Sequence, residues 1–367
     1  MRIVNLKLKK HPYDIIIGRG ILPRLGNLLK KIDIGAHAYI ITNPTVKKHC
    51  AEKLQSILSS SGFSTKIKTI PDTEKSKSLE TATAILKDIA KYDKRKRIFI
   101  VAFGGGVIGD VSGFVASIYK RGVSYIQIPT TLLAQVDSSI GGKTAVDLSE
   151  GKNLIGAFYH PRLVLSEISF LKTLNLRQLR SGLAEVIKYA AIKDGELFIY
   201  LEKKYRAILE CRYAAMEFII ERCSRIKAEI VAKDEREEKG IRTILNFGHT
   251  IGHAIEAASQ YESYNHGEAI ALGMLVETEI SKKLGLISSA KAARIEKLIS
   301  AAGLPTIIKG CSFKSIIQAH HRDKKFLGKK NRFVLLTDIG RAKVVLNVPI
   351  PIIYVALNGR IKIPSSR

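Results

Sequence analysis

An α/β N-terminal domain on a parallel sheet, followed by a mainly α-helical C-terminal domain, is the architecture this sequence predicts. Three observations predict it. Short apolar runs alternate with helical periodicity up to about residue 180, helical periodicity dominates afterwards, and residues 98–103 (IFIVAF) are apolar without interruption. An uninterrupted run of that kind suits a strand buried on both faces, the habit of parallel sheets covered by helices. Ligands of such sheets bind beyond the carboxyl ends of the strands.

Taken in order, residues 1–10 alternate apolar and basic side chains like a strand and lack the long apolar core of a secretory leader. Residues 38–42 (AYIIT) form an apolar run that stops at Asn43-Pro44, and 46–59 continue as a helix. Residues 65–70 (TKIKTI) alternate as a strand, 79–91 carry helical periodicity, and 98–103 form the buried strand. Stretches 182–193, 214–233, 248–258, 268–283 and 290–302 read as helices, and extended segments at 332–336 and 343–348 are placed to pair with each other. The boundary therefore falls near 180, with 1–180 as the α/β domain and 181–367 as the helical one.

A chain of 367 residues with 46% hydrophobic content suits about two domains with sizeable cores. No apolar stretch approaches the roughly 20 residues of a membrane span. Cys50, Cys211, Cys223 and Cys311 are scattered with no CxxC pair. That points to reduced thiols in a cytoplasmic setting and away from a thiolate metal site. The net charge of +27 has two readings. Its basic runs, 94–97 and 329–330, are short, lie beside expected strands and lack interleaved aromatics, so a solvated surface is preferred to nucleic-acid binding. Such a field still attracts anionic substrates.

Directly after the buried strand stands Gly104-Gly105-Gly106-Val107-Ile108-Gly109-Asp110, followed by helix-like sequence. Glycines there allow close backbone approach, and a helix N-terminus offers N–H groups to a pyrophosphate. The string is not GxGxxG, and a plain tight turn is the competing reading. Pro129-Thr130-Thr131 ends another apolar run, where hydroxyls bind a ribose or phosphate or simply cap the next helix. Gly142-Lys143-Thr144 is close to a P-loop but lacks its first glycine, which excludes that NTPase motif. With Lys152-Asn153 in a second glycine-flanked stretch, Lys143 suits an anionic ligand.

Catalytic zinc sites keep three His or carboxylate ligands and one open position. Here His249 and His253 stand four apart on one helical face, the naive ligand pair. Residue 250 is Thr, so the HExxH glutamate of zinc proteases is missing. Glycines at 248 and 252 leave room for something to approach this helix. Glu185 is a carboxylate in an otherwise apolar helical stretch, costly unless it binds metal or pairs with Lys188. His266 follows in Asn265-His266-Gly267-Glu268.

Residues 72–77, GGGVIGD, PTT, VDSSIGGKT, GKNLIG, SGLAEVIKY, LNFGHTIGHAIE, HGE and DKKFLGKKNRFVLL occur in an order and spacing that resembles the 3-dehydroquinate synthase family of sugar-phosphate cyclases. The resemblance spans most of the chain. It implies a Rossmann-like N-terminal domain binding NAD and a helical C-terminal domain carrying a divalent metal, Zn2+ or Co2+, beside the nicotinamide. It assigns the metal to Glu185, His249 and His266, replacing the naive His249–His253 pair. NAD maps to Asp72, Glu74, Lys77, Gly106, Val107, Ile108, Gly109, Asp110, Thr130, Thr131, Asp137, Phe170 and Thr173, with Lys143 and Lys152 shared. Catalytic and substrate positions map to Lys143, Lys152, Asn153, Lys188, Lys227, Arg242, Asn246, His253 and Lys325.

What the resemblance implies is conversion of an acidic sugar phosphate, 3-deoxy-D-arabino-heptulosonate 7-phosphate, to 3-dehydroquinate and phosphate. A ring carbinol is oxidised, phosphate is eliminated, the ketone is reduced again, and the opened ring closes by an intramolecular aldol. It also implies a homodimer, and no nucleic-acid or membrane partner is expected. Two departures stand out: Asn175 replaces the usual proline after Thr173-Leu174, and the acidic loop between Lys227 and Arg242 is one residue over-long. The competing readings are a sister cyclase acting on another sugar phosphate, an iron-dependent polyol dehydrogenase, and a nucleic-acid binder resting on charge alone.

Overall fold

A computed structural model describes residues 1–260, 262–322 and 331–362, with backbone alone at 320–322. Lys325 lies outside the described residues. The chain forms two compact units, Met1–Leu174 with Met216–Arg236, and Asn175–Ala215 with Glu237–Arg367. This division differs from a single boundary near 180, because most of the helix expected at 214–233 groups with the first unit. Among the described residues no helix is long and apolar enough to cross a membrane.

The first unit is built on a seven-stranded sheet of order β1-β2-β9-β6-β5-β3-β4. Its strands are β1 (Arg2–Leu6), β2 (Tyr13–Gly18), β3 (His37–Thr42), β4 (Ser64–Thr69), β5 (Ile98–Gly104), β6 (Tyr125–Pro129) and β9 (Leu163–Glu167). All neighbours run parallel except β1, which is antiparallel to β2 at the edge. A separate antiparallel hairpin joins β7 (Lys143–Leu148) and β8 (Gly151–Phe158).

Successive side chains of the central strands enter opposite cores. Phe99, Val101, Phe103, Ile126 and Ile128 pack with helices α1 (Leu25–Lys31) and, beyond the short α2 (Pro44–Val46), α3 (Glu52–Ser60). Tyr39, Ile41, Ile100 and Tyr125 pack with α4 (Leu79–Asp93) and α5 (Gly106–Ile118). Both faces of β5 are thus covered, which is why its sequence is apolar without alternation.

The second unit holds α6 (Leu176–Lys193), α7 (Gly195–Leu209) and the start of α8 (Tyr213–Lys233), whose remainder belongs to the first unit. It continues with α9 (His249–Ala258), α10 (His266–Lys283), α11 (Ser289–Ala301), α12 (Phe313–Arg322), the antiparallel pair β10 (Arg332–Asp338) and β11 (Arg341–Leu346), and α13 (Ile350–Asn358). Asn175 is the N-cap of α6, its side chain accepting the Gln178 N–H at 2.8 Å. The residue that departs from the family's proline therefore starts the helix that carries Glu185, a role worth about 0.5–2 kcal/mol.

Helix α10 is the centre of this unit and is buried along most of its length, from Gly267 to Ser281. It meets α9 at glycines on both sides. A Cβ on Gly273 would lie 1.9 Å from the Gly248 carbonyl oxygen, and one on Gly252 would lie 2.7 Å from Ile270. Gly248 also has φ +79°. What the glycines at 248 and 252 admit is a neighbouring helix.

Candidate metal centre and dinucleotide turn

Three helices of the second unit converge on one carboxylate. Glu185, fully buried on α6, faces His249 and His266, the first residues of α9 and α10. Glu185 Oε1 lies 3.5 Å from His249 Nε2 and 3.4 Å from His266 Nε2. Ligand bonds of roughly 2.0–2.1 Å in a tetrahedron place donor atoms roughly 3.3–3.4 Å apart. Both oxygen-to-nitrogen distances therefore suit ligands of one zinc-sized divalent ion, and the three donors are within 4.8 Å of one another. The other carboxylate oxygen, Oε2, contacts the buried Lys188 ammonium one turn on. The two readings of Glu185 are compatible, since each uses a different oxygen.

Placement of the histidines follows from local structure. His266 follows Asn265, which closes a capping box with Glu268, and Arg177 grips Glu268 through two hydrogen bonds of 2.8 and 2.7 Å. His249 Nδ1 is 3.1 Å from the Phe247 carbonyl oxygen. That oxygen only accepts, so Nδ1 carries the hydrogen and Nε2 keeps its lone pair towards Glu185. Burial first, then the Lys188 charge, hold His249 down to about 3, so it is neutral. Burial also opposes a charge on His266, but hydrogen bonds to Glu185 and Glu256 outweigh it and push that ring up to about 10 without metal. His253 is exposed, with its ring 5.3 Å from that of His249. Arg242 is buried and Asn246 half-buried on the short helix Ile241–Asn246.

In the first unit the glycine turn closes β5 and opens α5. Gly105 is the N-cap of α5 and makes no side-chain cap. A Cβ there would lie 3.2 Å from Thr131 and 3.9 Å from Asp72, so these groups share a narrow hollow beside the helix N-terminus. Asn43 donates to Asp72 at 2.8 Å, and burial pushes the Asp72 carboxyl up. Thr131 accepts the Ala134 N–H at 3.2 Å, so it caps as well as faces the turn. The Thr130 amide is tied to the Gly104 carbonyl oxygen at 3.0 Å. Gly109 packs on β6, where a Cβ would meet Gln127 at 2.7 Å. Ile108 belongs to the apolar core, whereas Gly106 and Val107 are half-buried.

A charged network borders the turn. Buried Lys77 lies 2.9 Å from Asp110 and donates to Asn153 Oδ1 at 2.6 Å. Burial opposes its charge, but Asp110 and Glu74 leave its pKa raised. Lys152 reaches Glu74 at 3.1 Å. Asn153 adopts φ +56°, held by its N–H donating to Asp147 at 2.7 Å. Lys227 of α8 donates to both the carbonyl and the carboxylate of Asp137 at 2.8 Å. Lys143 is exposed at the start of β7. Phe170 packs 5.5 Å from Phe103 in the core, and Thr173 is exposed, its hydroxyl donating to the Phe170 carbonyl at 2.7 Å.

Family models match both halves in register: the N-terminal region of 3-dehydroquinate synthase over residues 67–181 and its C-terminal region over 182–326. The chain belongs to the 3-dehydroquinate synthase family. The 3-dehydroquinate synthase of Pelotomaculum thermopropionicum is 46% identical over 345 residues, covering 94% of this chain and 93% of that one. Among solved structures, 2-deoxy-scyllo-inosose synthase complexed with carbaglucose-6-phosphate, NAD+ and Co2+ matches with TM-score 0.89 at 26% identity, over 98% of this chain and 100% of that one. The 2-epi-5-epi-valiolone synthase of Streptomyces hygroscopicus, with NAD+ and Zn2+ bound, matches with TM-score 0.86 at 28% identity, over 98% and 99%. The expected fold, an α/β domain and a helical domain, is the fold of these cyclases.

Two buried carboxylates near the metal trio, Glu256 and Glu277, are singled out by none of the family motifs' assigned roles. For Glu256 a signal existed: with His249 and His253 it follows an i, i+4, i+7 stripe on α9. Glu277 had none beyond being acidic in an apolar helix.

Proposed function

We propose that this protein is a 3-dehydroquinate synthase that uses NAD and a divalent metal to convert 3-deoxy-D-arabino-heptulosonate 7-phosphate to 3-dehydroquinate and phosphate. The observation that carries the reading is the convergence of Glu185, His249 and His266 at ligand spacing, in a chain of this family. Those three residues would hold Zn2+ or Co2+. The metal supplies Lewis-acid polarisation of a carbinol or ketone oxygen. NAD, which Gly106–Asp110 at the start of α5 would hold with Asp72, Lys77, Thr130, Thr131 and Asp137, supplies a hydride acceptor that is regenerated within the cycle.

The chain's own residues bind and orient. Lys188 neutralises one oxygen of Glu185 and so keeps the other available to a ligand. Its ammonium also stabilises negative charge that develops on a nearby substrate oxygen. Arg242 offers a carboxylate two parallel hydrogen bonds. Lys143, Lys152 and Asn153 supply donors for phosphate, with Asn153 held in place by Asp147 and Lys77. Lys227, Asn246 and His253 complete the substrate set by family correspondence. Gripping both ends of the opened chain lowers the entropic cost of the final aldol step.

The deciding assay incubates the protein with heptulosonate phosphate, NAD and zinc, and follows phosphate release together with product identity. Equal release of phosphate and 3-dehydroquinate, with no net NADH, is expected. NADH accumulating in step with product would establish a dehydrogenase instead. A cytoplasmic homodimer without nucleic-acid partners completes the reading, and sedimentation equilibrium together with a salt-dependent DNA-binding titration tests it.

A further inference from the structure

The two metal-facing imidazoles are alike in one respect. Each points Nε2 at Glu185, and each has Nδ1 against an oxygen: the Phe247 carbonyl for His249, at 3.1 Å, and the Glu256 carboxylate for His266, at 3.4 Å. The carbonyl oxygen is part of the backbone and cannot turn away. Glu256 is a side chain, 6% exposed, whose burial is costly unless its charge is met. It stands two turns beyond His249 on α9, so α9 presents one face to His266 through the His253 ring at 6.3 Å and the Glu256 carboxylate. Of the three donors His266 is the most open, its side chain 31% exposed against 14% for His249 and 0% for Glu185. Its ring therefore needs an outer hold most.

Resting on the metal reading above, we propose that Glu256 is a positioning residue: it accepts the Nδ1 hydrogen of His266, fixing the ring's orientation and leaving Nε2 to the metal, and so sets metal affinity. An outer carboxylate on a ligating histidine orients the ring and raises its basicity, and losing one typically costs about 10–100-fold in metal affinity. His253, Glu256 and His266 also bring three donor atoms within 4.8 Å of one another. A second cation there would use the Nδ1 that Glu256 occupies, and His253 is exposed to solvent. A single metal per chain follows.

The test titrates Zn2+ against a chelator and records the visible spectrum of the Co2+-loaded protein for wild type, E256A, E256Q and E185Q. We expect E256A to bind metal about 10–100-fold more weakly with an altered cobalt spectrum. E256Q, whose amide oxygen still accepts the Nδ1 hydrogen, should regain most of the affinity and the wild-type spectrum. NAD binding should be unchanged in both, and stoichiometry should stay at one metal per chain. Wild-type affinity and spectrum in E256A overturn the proposal. So do two metals per chain in wild type with one lost in E256A. Should E256A fail to fold, E256M, which fills similar volume without a strong acceptor, decides instead: a loss of about 10–100-fold supports the proposal and unchanged affinity overturns it. Failure of the underlying metal reading looks different, with wild type binding no metal or E185Q binding as tightly as wild type.

Discussion

The Glu277 carboxylate of α10 accepts the Gly248 N–H at 2.7 Å, one residue ahead of His249. An acceptor for a free N–H at a helix start is favourable, and here it joins the two helices that carry the histidine ligands. The glycine contacts at 248, 252 and 273 bring the backbones close enough for this side chain to reach.

Glu277 makes stability pH-dependent with a definite sign. Burial pushes its carboxyl well above the usual 4.5, against hydrogen bonds from the backbone of Gly248, Ile251 and Thr250. A raised folded pKa contributes stability that is fully present below the unfolded value and lost as pH rises through the folded one. E277Q mimics the protonated group, so its melting temperature should gain on wild type as pH rises above about 4.5. E277L leaves the Gly248 N–H without its acceptor and should be about 1–3 kcal/mol less stable than E277Q at any pH. Thermal scans across pH check both, and a pH-independent gap for E277Q would refute the linkage.

Metal binding should displace a proton. Without metal His266 is charged up to about 10 and His249 is neutral down to about 3. Near neutrality one proton therefore leaves as metal enters, so log affinity should rise by about one per pH unit between about pH 6.5 and 9. In the metal-free protein the raised pKa of His266 has the matching consequence. Its contribution to stability is full below about 6.5 and is lost as pH rises through about 10. Calorimetry in buffers of different ionisation enthalpy counts the proton released, and a count of zero refutes this.

Glu185 and Lys188 should behave as a coupled pair. E185Q is expected to abolish metal binding and turnover while the protein still folds, and H266A likewise. In chelator, E185Q leaves a buried ammonium and K188M a buried carboxylate, each at a cost of about 3–5 kcal/mol. The double variant E185Q/K188M should be more stable than either single variant. Denaturant unfolding measures the cycle, and simple additivity would show that the two charges are independent.

The glycine turn admits one further check. G105V adds a branched side chain whose Cβ lies 3.2 Å from Thr131. It should narrow the hollow at the α5 N-terminus and weaken NAD binding by at least about tenfold, since close backbone approach is what glycine allows. Zinc affinity should not change. Fluorescence titration with NAD beside a chelator competition reports the two effects separately.

Much of the fold was legible because it is written in local periodicity. The run 98–103 is apolar without alternation, and β5 is covered on both faces. The late extended segments pair as β10 and β11. Other elements had no such signature. Helix α7 went unread, as did β2 and β9, which are far apart in sequence yet hydrogen-bonded neighbours. The hairpin β7–β8 was legible only as glycine-rich turns around lysines, because an exposed β8 carries no apolar face to betray it.

By itself the sequence determined the strand–turn–helix with its three glycines, the helical face shared by His249 and His253, and, through motif order, the trio Glu185, His249 and His266. These depend on neighbours in the chain. Only the tertiary structure decided that Lys227 meets Asp137, that Gly248 and Gly252 admit a helix, and that Glu256 and Glu277 stand behind the two histidines. Each of these depends on which helix packs against which, and a buried carboxylate's partner across a helix interface leaves no periodic trace in its own segment.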